Sequence, residues 1–296
     1  MMAPSDLPEA AKRRLQTGAF SSGLSVSDFA ACLELGLEPV GLVQGFCAMQ
    51  QGVYSMMGGL SRGLSPYGGS QGGYVQNYQC PHGMITGEHR MWGQNYQQTW
   101  VESTWNEGFT SSYSRMLEEA RELGAHGVVG VVDTVSRLTD ANVTEFHLWG
   151  TAVRVLDMPS PASTPWSTYL AGQRLAKVFE AGFVPVSIVA SVSSIRVWAY
   201  CVTEYLLGGI GIWANSSGPT EIEQIVAAMS QARSMVRTSA RDQLDGDALH
   251  GANLQLGERE FEKGDLEIEA VLRGNRIRRY RDYDPLPVPQ PTVRLS

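Results

Sequence analysis

Apolar residues recur at helical spacing between Val101 and Leu123. Val101, Trp105, Phe109, Tyr113, Met116, Leu117, Ala120 and Leu123 fall on one face, and Gly124 follows where a helix stops. A second such face runs through Ile222, Ile225, Val226, Met229, Val236 and Ala240. It is preceded by Pro219 and by Thr220 and Glu223 at capping-box spacing. Each long helix is followed by two strand-like runs. In the first case these are Val128–Val135 and Val143–Leu156, joined by Thr139, Asp140, Ala141 and Asn142. In the second they are Ala252–Phe261 and Leu266–Tyr280, joined around Lys263, Gly264 and Asp265. Both pairs read as β-hairpins.

The pattern is a repeat. The run AFSSGLSVSDFAACLELGLEPVGLVQG from Ala19 matches PWSTYLAGQRLAKVFEAGFVPVSIVAS from Pro165 at an offset of 146 residues. Ser21/Ser167, Leu24/Leu170, Glu34/Glu180, Gly36/Gly182, Pro39/Pro185 and Val43/Val189 are identical pairs. Each run reads as a short helix, a glycine stop and a buried strand, with Gly36 and Gly182 in the left-handed position. Further on, His126-Gly127 lines up with His250-Gly251, and the strand from Gly150 with the strand from Gly274, at an offset of 124. The first copy therefore carries about 22 extra residues in its middle. The expected class is α+β, as two tandem copies of a small sheet-plus-helix domain. The expected boundaries are an N-terminal extension 1–18, a first copy 19–157 with an insertion at about 46–98, a linker 158–165, a second copy 166–283 and a Pro-rich tail 284–296.

Composition narrows the classes. Charged residues are 18% of the chain, below the usual ~25%, and Gly numbers 32. A low-charge, Gly-rich chain is expected to hide surface in a homo-oligomer. The net charge of −7 argues against a nucleic-acid partner. The four cysteines lie far apart with no CxxC, which excludes a disulfide-dense or zinc-ribbon scaffold. The start is polar, with Lys12, Arg13 and Arg14 and no apolar run behind them, and no stretch is apolar for 18 residues. A cytoplasmic protein with no membrane span is the expectation.

The run Ala120-Arg121-Glu122-Leu123-Gly124-Ala125-His126-Gly127-Val128-Val129-Gly130-Val131, followed by Gly150-Thr151-Ala152-Val153, resembles the YbjQ-like family, labelled heavy-metal-binding. The resemblance covers most of 19–157 and, in degenerate form, 166–281. It implies an α+β domain in closed homo-oligomers, with five-fold rings in single-domain relatives. A closed ring of five chains presenting ten domains is therefore expected. The shared motif is made of packing residues and brings no ligand set. His126 stands where the family usually has an acidic residue.

The candidate chemistry lies mostly in the insertion. Cys80, His82 and His89 supply thiolate and imidazole ligands suited to zinc or copper, with His126 as a weaker fourth. Their spacing fits no standard finger, and ordinary loop residues are the alternative. His126 reads equally as a side chain at a helix-to-strand junction. Tyr74, Tyr78, Trp92, Trp100 and Trp105 stand among Gln, Asn and Gly, a composition typical of interfaces. Gly59-Leu60-Ser61-Arg62-Gly63 matches a nucleophile elbow, but glycines and serines surround it where a strand and a helix are required. Gly209-Ile210-Gly211-Ile212-Trp213-Ala214 matches a dinucleotide turn without a helix directly behind it. Arg273, Arg276, Arg278, Arg279 and Arg281 form the main basic run, expected as a solvated strand edge that blocks aggregation. The sequence therefore points to a non-enzymatic assembly or binding protein, with heavy-metal binding by the insertion as the alternative.

Overall fold

The computed structural model describes residues 20–50, 78–79, 85–86, 94–138, 143–159, 164–198, 221–260 and 266–281. Among them the fold is α+β, with four helices and two four-stranded sheets. In chain order the elements are α1 (Val26–Glu34), β1 (Leu37–Gln50), β2 (Tyr78–Gln79), β3 (Ile85–Thr86), β4 (Asn95–Gln97), α2 (Thr99–Glu122), β5 (Gly127–Leu138) and β6 (Val143–Val155). There follow β7 (Trp166–Ser167), α3 (Gly172–Glu180), β8 (Phe183–Val197), α4 (Glu223–Asp242), β9 (Ala248–Glu260) and β10 (Leu266–Arg279).

The local signals act as expected. Ser25 caps α1 by accepting the Asp28 N–H, and its hydroxyl donates back to the Asp28 carboxylate at 2.7 Å. Gly36 and Gly182 close α1 and α3 with φ of +71° and +83°. In α2, Gly108, Ser112, Met116 and Ala120 are buried four residues apart; Ala228, Ala232, Val236 and Ala240 do the same in α4. Small residues in these stripes let each helix lie close on its sheet. Val226 differs from the sequence reading: it is 44% exposed, because the buried stripe of α4 runs through the alanines instead. Ile222 is the N-cap of α4 without a side-chain hydrogen bond, and Thr220 lies outside the described residues.

The two sheets share one pattern. The first has the order β1-β6-β5-β7 and the second β4-β8-β10-β9. Leu42, Gln44 and Phe46 pair with Thr151, Trp149 and His147; Ile188, Ala190 and Val192 pair with Asn275, Arg273 and Val271. These partners correspond at the sequence offsets of 146 and 124. The same irregularity interrupts both ladders, between Pro39 and Gly41 and between Arg276 and Ile277.

One alignment changes. Val128 and Val132 pair with Ala152 and Trp149, as Leu249 and Asn253 pair with Arg276 and Arg273, an offset of 121. Gly130 and Gly251 then coincide as the positive-φ residues of matching β-bulges, at +61° and +64°. His126 therefore corresponds to Asp247, and His250 to Val129. The shared His-Gly pair misaligned the sequence because the bulge glycine, not the histidine, fixes the register.

The arginine run also departs from expectation. The hairpin folds so that β10 is an interior strand between β8 and β9. Arg273 pairs with Asp133 at 2.6 Å, and Arg276 and Arg278 converge on Asp247 at 2.5 and 2.9 Å. Arg281 donates to the Phe179 and Glu180 carbonyls at the end of α3. The hydrogen bond from Arg278, with help from Arg276, pulls the Asp247 pKa from 3.8 to about 2 against the opposing effect of burial. The folded value lies below the unfolded one. Its stabilising contribution is thus present above pH 3.8 and is lost as pH falls through about 2. Asp247→Asn is expected to flatten the acid limb of stability over that window in urea titrations; an unchanged limb contradicts it.

Candidate assembly interface

The two copies join through a composite contact. Residues 166–170 run beside the start of β5 in parallel, with Gly127 opposite Trp166 and Val128 opposite Ser167. The Thr168 N–H donates to the Val128 carbonyl at 3.0 Å. The Val131 N–H donates to Thr168, and the Gly130 N–H to Leu170, at 3.0 and 2.9 Å. Gly127 is required here, since a Cβ would lie 2.2 Å from the Trp166 ring. At the far corner β4 returns the arrangement, pairing Asn95, Tyr96 and Gln97 with Val197, Arg196 and Ile195.

The second part of the joint is apolar. Ile188, Ala190, Val192 and Val271, on the outer face of the second sheet, share one core with Trp105, Phe109 and Met116 of α2. Thus α2 packs against both sheets, while α4 covers only the inner face of its own. Trp105 is 3% exposed and stacks on Phe109 with ring centroids 5.0 Å apart. It is a core residue, which corrects its reading as a surface contact. The helical period, not the surrounding Gln and Asn, decides its place.

The third part is ionic. A cleft of about 420 Å³ between the sheets is lined by Arg137, Arg259, Arg273, Glu258, Glu267 and Glu269 together with apolar neighbours. Glu267 is 2% exposed; it receives the Ser194 hydroxyl at 2.8 Å and pairs with Arg137 at 3.3 Å and with Arg259. Arg137 also holds Glu269. Burial raises the Glu269 pKa, Arg137 lowers it, and the neighbouring Glu267 charge raises it further. Tyr169 is partly buried near Asp133; desolvation first, then that carboxylate, push its phenol well above the usual range.

Among the described residues, nothing covers the corresponding surfaces on the other side of each copy. The first half of β9 corresponds to the covered start of β5, yet among the described residues nothing pairs with its outer edge, and nearly all of it is exposed. The outer face of the first sheet corresponds to the face buried on α2. There Phe46 is 51% and Val132 40% exposed. His147 stacks on Phe46 at 4.0 Å, and its Nε2 has no hydrogen-bond partner among the described residues. Burial pushes its pKa down.

Part of this chain resembles a nanocompartment protein. The match is 27% identical over 195 residues to the encapsulin nanocompartment protein Rv1762c of Mycobacterium tuberculosis. It covers 64% of this chain and 62% of that protein, so the chain spans less than two thirds of its relative. No family model matches the chain.

The structure separates the remaining candidates. Cys80, His82, His89, Tyr74 and Trp92 lie outside the described residues, as do both glycine-rich motifs. Tyr78 lies on β2, which pairs with β3. Trp100 is half-buried and packs on Tyr96 at 5.7 Å. Among the described residues no group of three or more His, Cys, Asp or Glu side chains is placed to hold a metal ion, and no helix is long and apolar enough to cross a membrane.

His126 is placed for structure rather than ligation. The Val155 N–H donates to its Nδ1 at 3.1 Å, so Nε2 carries the proton and donates to the Pro159 carbonyl at 2.9 Å. Both ring nitrogens are occupied, which corrects the metal-ligand reading. The imidazole ties the start of β5 to the end of β6 and to the segment beyond. His126→Ala is expected to cost about 1–3 kcal/mol through the buried groups left unpaired. Zinc uptake is expected to be unchanged; its loss in the variant restores the ligand role.

Proposed function

We propose that this chain is a non-enzymatic protein whose work is self-assembly. It is built from two YbjQ-like copies over 19–157 and 166–283 that close into a cytoplasmic homo-oligomeric ring of five chains. One observation supports the reading: the joint between the copies is filled inside the chain, while among the described residues nothing covers its corresponding half-surfaces on the first and second copies. A long strand with one open edge, and a sheet face with exposed apolar residues, are surfaces that proteins normally cover. The low charged fraction of 18% agrees with extensive burial between chains. Similarity to a nanocompartment protein supports a place in a protein assembly. Sedimentation at micromolar concentration tests the proposal. A single species of several chains is expected, and a 32.3 kDa monomer overturns it.

A further inference from the structure

Resting on that reading, the internal joint also specifies how one chain meets the next. The segment before each short helix docks on its own sheet in the same way in both copies. The Tyr169 N–H donates to Asn275 Oδ1 at 2.8 Å, the Thr168 hydroxyl to the same oxygen at 2.8 Å, and the Leu170 N–H to the Thr168 hydroxyl at 3.1 Å. In the first copy the Gly23 N–H donates to Thr151 Oγ1 at 3.1 Å. Ser22 Oγ lies 3.3 Å from that same oxygen, and the Leu24 N–H donates to Ser22 Oγ at 3.2 Å. Phe20–Leu24 is thus held in the posture of Trp166–Leu170. The later segment spends its other edge on β5; the earlier one pairs with no strand among the described residues, and Phe20 is 57% exposed.

We infer that Phe20–Leu24 of a second copy of this chain pairs in parallel with the start of β9, and that α4 of the first chain covers the outer face of β1 and β6 of the second. The register fixes the partners. The Ser22 N–H meets the Leu249 carbonyl, the Ala252 N–H meets Ser22, and the Gly251 N–H meets Leu24. These translate the bonds that Thr168, Val131 and Gly130 make inside the chain. Gly251 already has φ of +64°, against +61° at Gly130, so the receiving bulge is preformed. Ring and floor also match in size: Trp166 lies over Gly127, and the corresponding pair is the smaller Phe20 over the larger Ala248. The exposed Phe46 and the half-buried His147 occupy the places of Val192 and Val271, which α2 buries in the internal joint.

The ionic clasp is not repeated, because Glu258 and Val143 stand where Arg137 and Glu267 would be. Backbone pairing and apolar contact therefore hold the joint between chains. Such a contact joins two different surfaces, so it propagates head to tail and forms a ring when the rotation closes.

Paired cysteines test this on the full chain. Phe20→Cys with Ala248→Cys is expected to give, on oxidation, a ladder of covalent multimers that reduction dissolves. Each single variant is expected to remain one chain wide on a denaturing gel. If the double variant sediments as an oligomer but forms no intermolecular bond, or closes the disulfide within one chain, the joint lies elsewhere and the inference is overturned while self-assembly stands. If unmodified protein is monomeric, both fall. A companion variant, Phe20→Glu, is expected to raise the half-assembly concentration about tenfold or more with an unchanged circular dichroism spectrum. Unchanged assembly in that variant contradicts the inference.

Discussion

Glu267→Ala is expected to cost about 3–5 kcal/mol, the range for removing one partner of a buried ion pair. Glu267 is 2% exposed and serves two guanidinium groups and the Ser194 hydroxyl from the floor of the cleft between the sheets. Its loss leaves Arg259 without that carboxylate, and Arg137 with Glu269 alone. Glu269→Ala is expected to cost less, since its side chain is 28% exposed and Arg137 keeps Glu267. Chemical denaturation compares the two. Equal losses contradict the assignment of Glu267 as the centre of the clasp. Because the clasp bridges the two copies, the Glu267 variant is also expected to loosen their union, read as a separate early transition in unfolding.

Gly45→Val is expected to prevent stable folding, a loss above ~4 kcal/mol. A Cβ at Gly45 would lie 1.9 Å from the Ser112 carbonyl oxygen and 2.8 Å from the Met116 nitrogen. Both are backbone atoms of α2, so no side chain can rotate away; helix and sheet must separate. Ordinary overpacking, where rotamers relax, costs only about 1–3 kcal/mol. Gly257→Ala provides the contrast. No heavy atom lies within 4 Å of its added Cβ, and the change is expected to stay within ~0.5 kcal/mol. Soluble, cooperatively unfolding Gly45→Val protein contradicts the close approach of α2 to β1.

The long elements were legible because each repeats one physical signal many times. The apolar period between Val101 and Leu123 gives α2 within two residues of its observed limits, Thr99–Glu122. Gly36 and Gly182 mark helix ends because a left-handed residue is needed there. The joint was not legible. β4 and β7 are three and two residues long, too short to show a period of two, and each pairs with the other copy. Nor does an arginine run reveal that β10 lies between two strands; only pairing order decides that. Trp105 misled for a related reason: a tryptophan that fills a helix–sheet core and one that meets a partner look alike until the second sheet is present. That no described residue pairs with the outer edge of β9 was hidden as well, since a strand's sequence does not say which of its edges is paired.

Native mass spectrometry of the unmodified chain tests the central claim most directly, because it counts subunits and weighs bound metal together. The account predicts one closed species of five identical chains, surviving dilution to micromolar concentration. A spectrum of single 32.3 kDa chains, or an open series without a preferred number, contradicts it.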